Sequence, residues 1–201
     1  MIDKKEAIFQ SGRELFIQNG FKDTSVADIM KRAGFATGSF YRYFASKDHL
    51  FMEIYNLENV KLKRAILDTV DIHKNPMTVM QELMASNLTG MRENPILREW
   101  YNRETFYKIE QNFRETNAID NVDFFVEGFT DVVRIWQQEG RMRSDISADM
   151  IIAIFAAFVN IDLHKEEIGL QYFPALMEYM GAFIMNGLTG DPGGGQDADG
   201  R

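Results

Sequence analysis

The sequence predicts an all-α protein of about nine helices, with a small three-helix domain at the N-terminus and a larger helical body behind it. Three observations carry this expectation. Apolar residues recur at helical spacing in run after run. Capping residues open the runs, as with Ser25 and Asp28, Ser46, and Ser147. Glycine or proline closes or separates them at Gly20, Gly34, Pro76, Pro95 and Gly140. With 201 residues and 45% hydrophobic content, the chain can bury a core in such a body and still carry a small domain.

The first helix spans Asp3 to Asn19. Asp3 and Glu6 have a capping spacing, Ile8, Leu15 and Phe16 form an apolar stripe, and Gly20 suits the residue after the helix. Next comes the stretch around which the chain is organised, Thr24 to Lys47 (TSVADIMKRAGFATGSFYRYFASK). Ser25 and Asp28 start a helix at about Val26, Ile29, Met30 and Ala33 face inward, and Gly34 ends it in a left-handed conformation. A second helix follows over 37–44. On a helical wheel Phe40 and Phe44 share one face, Gly38, Ser39 and Arg42 lie opposite, and Tyr41 and Tyr43 flank them. Ala36 leaves that helix without a good side-chain cap, at a cost of about 1 kcal/mol unless Thr37 supplies it.

A short helix exposing Thr, Gly, Ser, Arg and two tyrosines suits close approach to a DNA duplex. Glycine and serine let backbone near base edges, and hydroxyls and amines reach phosphate oxygens. Gly20-Phe21, Thr24 to Ile29, Ala33-Gly34-Phe35, Gly38 to Phe44 and Ser46 to Leu50 together resemble the N-terminal domain of the TetR family of transcriptional regulators. The resemblance covers roughly the first fifty residues. It implies that Thr37, Gly38, Ser39 and Arg42 face bases and that Thr24, Ser25, Tyr41, Tyr43 and Lys47 hold phosphates. It also implies a two-fold dimer in which the last two helices pair with their symmetry mates, and a palindromic operator near a promoter.

From Ser46 a long helix runs to about Val70, with Leu50, Ile54, Leu57, Leu62, Ala65, Ile66 and Val70 on its apolar faces. No glycine or proline interrupts it before Pro76, so it can serve as a rigid lever. Further helices are expected over Met77–Asn94, Ile96–Arg114 and Val122–Glu139, with a polar break at Glu115–Asn121 and a stop at Gly140. Ser147 caps the next, in which Met150 to Val159 is apolar all round and should be buried on every side. In the last helix Phe173, Leu176, Met177, Met180, Ile184 and Leu188 form one stripe, with Pro174 in its first turn. Residues 189–201 are Gly-rich, acidic and aperiodic, and should be a disordered tail.

Net charge is −8, unevenly spread: residues 1–64 carry eleven Lys or Arg against eight Asp or Glu, whereas residues 65–201 carry eleven against twenty-two. A basic head on an acidic body fits a protein of which only the head meets phosphate. There is no cysteine, which excludes a disulfide framework and thiolate chemistry. No run approaches the ~20 apolar residues of a membrane span, and the N-terminus lacks a secretory pattern, so a cytoplasmic location without membrane contact is expected. The three histidines, His49, His73 and His164, share no metal-ligand spacing, and no phosphate loop, nucleophile elbow or zinc-helix motif is present. The sequence therefore suggests neither enzyme nor cofactor.

The middle helices are rich in aromatics and methionine. An apolar effector pocket would draw on Met84, Asn87, Trp100, Arg103, Phe106, Phe125, Phe129, Phe155 and Phe158, although plain core packing is the better account of any one of them taken singly. The expectation is a homodimeric, ligand-responsive regulator, a repressor released from its operator by a small hydrophobic effector. Residues 1–48 would bind DNA and residues 49–188 would bind effector and dimerise. The competing expectation is a protein adaptor that has kept the helix-turn-helix and lost its operator.

Overall fold

The computed structural model describes residues 3–102, 105, 107–108, 111, 123–161, 165–173 and 175–190, with the side chains at 123–126, 159–160 and 165–166 excepted. Among them the fold is all α, without a strand. It comprises α1 (Lys4–Asn19), α2 (Val26–Ala33), α3 (Lys47–Thr69), α4 (Pro76–Glu93), α5 (Asp123–Gln138), α6 (Ala148–Asn160), α7 (Lys165–Ile168) and α8 (Ala175–Thr189). Short 3-10 helices lie at Thr37–Arg42, Leu97–Tyr101 and Leu170–Tyr172. Two compact units are built from these elements, one from residues 1–68 and 85–122, the other from residues 69–84 and 123–201.

In the first unit the caps read from the sequence are made. Asp3 accepts from the Lys5 N–H, and Gly20, at φ 81°, donates to the Phe16 carbonyl. Ser25 and Asp28 close a reciprocal capping box, and Gly34 ends α2 in the left-handed region. Ser46 accepts from the His49 N–H at 3.0 Å to open α3. These ends hold three helices around Ile8, Phe16, Ile29, Met30, Phe40 and Phe44, all fully buried. Each large side chain so removed from water contributes about 1.5–3 kcal/mol. Phe51 packs edge-on against Phe16 and Phe21, with ring centroids 5.2 and 4.8 Å apart, and Met91, Ile96 and Leu97 close the same core.

Three expectations change here. The second helix of the motif is 3-10 over Thr37–Arg42 instead of α over 37–44, and its start has no side-chain cap. Ser39 bonds to the Ala36 carbonyl through both its N–H and its hydroxyl, at 3.0 and 2.7 Å, so the first turn closes over three residues and stays tight. On α3, Leu57 and Ala65 are exposed, whereas Glu58 is buried on the face that continues from Leu50 and Ile54. The Glu58 carboxylate is satisfied by Arg13 at 2.9 Å, Asn94 at 2.8 Å and Lys61 at 3.2 Å. Finally, the helix expected over Ile96–Arg114 begins as the 3-10 helix Leu97–Tyr101, and most of its remainder lies outside the described residues, as does the break at 115–121.

In the second unit, α5 stops at Gly140, at φ 68°. Fully buried Trp136 donates its indole N–H to the Ile72 carbonyl at 2.8 Å. Arg141 donates to the carbonyls of Ile72, His73 and Lys74. The loop after α5 is held from two sides: Gln137 donates to the Arg143 and Ile146 carbonyls, and the Arg143 N–H donates to Leu188 at the end of α8. Burial of α6 is one-sided. Ile151, Phe155 and Phe158 are buried, but Met150 is 56% exposed and Ala153, Ala156 and Ala157 lie in the open, so the expectation of burial all round fails within the chain. In α8 Met185 and Leu188 are buried and the rest of the described stripe is half-buried, while Tyr179 and Phe183 stand 65% and 71% exposed with rings stacked at 6.5 Å. Pro174 and residues 191–201 lie outside the described residues.

Candidate nucleic-acid interface

The arrangement of Thr37–Arg42 follows from what lies beneath it. Phe40 and Phe44 are buried with ring centroids 5.7 Å apart, which pins the segment to the core of the first unit. Thr37, Gly38, Tyr41 and Arg42 are exposed above that anchor, and Ser39 and Tyr43 are half-buried at its edges. Gly38 has no positive φ, and a methyl group placed on it would meet nothing within 4 Å. The fold therefore does not require glycine there.

The expected phosphate contacts divide into two groups. Ser25 is exposed, and its hydroxyl donates to Asp28 at 2.5 Å while accepting from the Asp28 N–H. The hydroxyl bond first, and then the Ser25 N–H donated to the same carboxylate at 3.2 Å, hold the Asp28 carboxyl below its ordinary range. Tyr41 is open, at 65% exposure. Thr24, in contrast, is buried, and its hydroxyl donates to the Gly20 and Leu15 carbonyls at 2.8 and 3.3 Å, so it is turned away from any phosphate. Lys47 points inward as well. Its ammonium donates to the Phe21 and Thr24 carbonyls, each at 2.8 Å, and lies 4.2 Å from the Phe21 ring centroid. Burial lowers its pKa, the nearby Asp48 opposes that, and the Lys108 charge adds to it. Both side chains fasten the turn between α1 and α2, a role that needs the carbonyls of residues 15–24 and could not be read from a helical wheel.

The residues assigned to an effector pocket are distributed over both units. Met84, Phe129, Phe155 and Phe158 belong to the second unit, where Phe129 and Phe155 meet edge-on at 5.5 Å and a methyl on Gly181 would lie 3.6 Å from Phe158 and 3.9 Å from Met84. Asn87 and Trp100 belong to the first. Trp100 packs against the core of the head, and Asn87 accepts from the Lys63 ammonium, whose pKa burial lowers to about 8. Arg103, Phe106 and the Phe125 side chain lie outside the described residues. The sequence reading missed Glu58 and Lys63. Glu58 could have been found from its place four residues after Ile54 on an apolar face, whereas nothing local marks Lys63.

Among the described residues no group of three or more His, Cys, Asp or Glu could hold a metal ion. Among the same residues no helix is long and apolar enough to cross a membrane.

Residues 8–54 match the family model described as bacterial regulatory proteins, tetR family. The HTH-type transcriptional regulator QacR of Staphylococcus aureus is 39% identical over 57 residues, a match that spans 28% of this chain and 30% of QacR. The HTH-type transcriptional repressor KstR2 of Mycobacterium tuberculosis is 22% identical over 195 residues, 92% of this chain and 93% of the repressor. Among solved structures, RolR in complex with the ligand resorcinol aligns with a TM-score of 0.62 at 15% identity, covering 92% of this chain and 87% of RolR, which shows a shared fold. Residues 8–54 thus carry the N-terminal domain of the TetR family of bacterial regulatory proteins, in a chain whose all-α fold is shared with RolR.

Proposed function

We propose that the chain is a homodimeric, ligand-responsive repressor that binds a palindromic operator through Thr37–Arg42 and is released by a small hydrophobic effector. The observation that carries this reading is the ridge of exposed Thr37, Gly38 and Arg42, with half-buried Ser39 at its edge, on a buried Phe40 and Phe44 anchor. A ridge of small polar residues with a glycine its own fold does not need leaves room for a base edge. Ser25, Tyr41 and Tyr43 reach phosphates, while Thr24 and Lys47 act from behind by holding the turn. Residues 1–48 form the DNA-binding part, and residues 49–188 bind effector and dimerise.

One such ridge spans only a few base pairs, and a two-fold pair doubles the contact on a palindrome. The exposed apolar faces of α6 and α8, Met150 and Ala153 on one and Tyr179 and Phe183 on the other, support a second copy as their cover. The Phe129, Phe155 and Phe158 cluster beside Met84 supports an apolar effector, as does the complex of RolR with resorcinol. To move occupancy from almost full to almost empty, that effector must favour the non-binding form by roughly 10⁴-fold, about 5.5 kcal/mol.

The test is selection of bound sequences from random duplex DNA, scored for a palindrome. A palindrome enriched by the wild-type chain, with affinity falling steeply as salt rises at about −0.9 log units per phosphate contact, supports the reading. No enrichment favours the adaptor instead.

A further inference from the structure

The turn between α1 and α2 is gripped by a segment far from it in sequence. Glu99 sends one carboxylate oxygen to the Phe21 N–H at 3.4 Å, and its other oxygen accepts from Asn102 at 3.0 Å and from the Thr105 hydroxyl at 2.9 Å. Gly20 makes room for that carboxylate: a Cβ on it would stand 3.3 Å from the same Glu99 oxygen, and its φ of 81° already favours glycine. Lys108 lies 4.9 Å from the Phe21 ring centroid and pairs with Asp48 in the first turn of α3. Beneath these contacts Ile96 and Leu97 are buried in the core that holds Phe16, Phe21 and Phe51.

We infer that Glu99 and Lys108 are positioning residues for the helix-turn-helix, holding the α1–α2 turn directly and not through the length of α3. This rests on the DNA-binding reading above. The turn leads into Thr24 and the Ser25 cap, so it sets where α2 begins and, three residues beyond Gly34, where the ridge starts. A charge pair on the surface adds little stability, and half-exposed Lys108 should be dispensable for folding. A loosened turn has a different consequence. If it leaves the head competent for only a tenth of the time, apparent operator affinity falls about tenfold with no contact to DNA removed.

The experiment compares Lys108→Gln, Asp48→Asn, their double variant and Glu99→Ala with wild type, with Lys74→Ala, an exposed lysine paired to Glu82, as a charge control. Three quantities are read: hydrogen exchange of the amides of residues 21–25, affinity for the duplex selected from random DNA, and affinity for a scrambled duplex of equal length. The inference expects faster exchange in that turn and about tenfold weaker binding of the selected duplex. It also expects scrambled-duplex binding within about twofold of wild type, an unchanged thermal midpoint for Lys108→Gln, and a double variant no worse than Lys108→Gln. Unchanged exchange and affinity in Lys108→Gln would overturn it, as would equal losses on both duplexes, which would make Lys108 a phosphate contact. Should Glu99→Ala fail to fold, Lys108→Gln and Asp48→Asn still decide the matter. If no duplex is selected, the DNA-binding reading falls, and the exchange rates still judge the grip.

Discussion

Replacing Gly90 by alanine sets two effects of opposite sign against each other. Gly90 lies inside α4, where alanine is a better helix former by about 0.8–1.0 kcal/mol. Helix propensity alone therefore predicts a stabilised protein. The structure predicts the reverse, because a Cβ on Gly90 would stand 2.2 Å from Leu62 Cδ1, 3.0 Å from Cδ2 and 3.2 Å from Cγ. Rotating one methyl away does not clear the other two atoms, so Leu62 must leave its rotamer or the helices must part. Overpacking of this kind costs about 1–3 kcal/mol. The net runs from about zero to a loss of about 2 kcal/mol, and for a chain of this size each kcal/mol lowers the thermal midpoint by about 2–4 °C. Circular dichroism melts and urea titrations at constant slope would measure it. In a Leu62→Ala background the clash is gone, and Gly90→Ala should become neutral or stabilising. A Gly90→Ala protein that melts higher than wild type in the Leu62 background would refute the close-approach argument.

Other expectations follow from single side chains. Burial alone would raise the pKa of Glu58, but the hydrogen bonds from Arg13, Asn94 and Lys61 together bring it below its ordinary value of 4.5. A carboxyl depressed on folding stabilises the protein above its unfolded pKa and loses that contribution as pH falls through the folded value. Glu58→Gln should therefore cost about 1.5–3 kcal/mol at neutral pH and flatten the acid side of the stability profile below about pH 4.5, a comparison made by urea titration at several pH values. Phe183→Glu places a charge on an exposed aromatic of α8 and should shift sedimentation velocity from dimer to monomer without unfolding the chain; an unchanged dimer would move the proposed interface elsewhere. Arg42→Ala should alter base preference in a repeated selection, at about 1–3 kcal/mol per lost base contact. A uniform weakening on all duplexes would make Arg42 a phosphate contact.

The elements legible in the sequence were those whose causes lie within a few residues of one another. Ser25 with Asp28, Ser46 with His49 and Ser147 with Met150 cap their helices at a separation of three residues, and Gly34 and Gly140 end theirs with their own positive φ. The Phe40 and Phe44 anchor and the polar residues above it follow from the same short-range geometry, and they carry most of the candidate site. What only the tertiary structure decided depends on groups brought together from afar. Lys47 looked like a phosphate ligand until the Phe21 and Thr24 carbonyls, more than twenty residues earlier, took its ammonium. Glu58 could be buried because Arg13 arrives from α1 and Asn94 from just past the end of α4. The apolar run of α6 could not announce its exposed side, nor α8 the exposure of Tyr179 and Phe183, since periodicity records which residues share a face and not what covers it. Helix ends are local hydrogen-bond problems solved by neighbours in the chain. Burial and charge pairing are solved by whichever segments the fold places alongside.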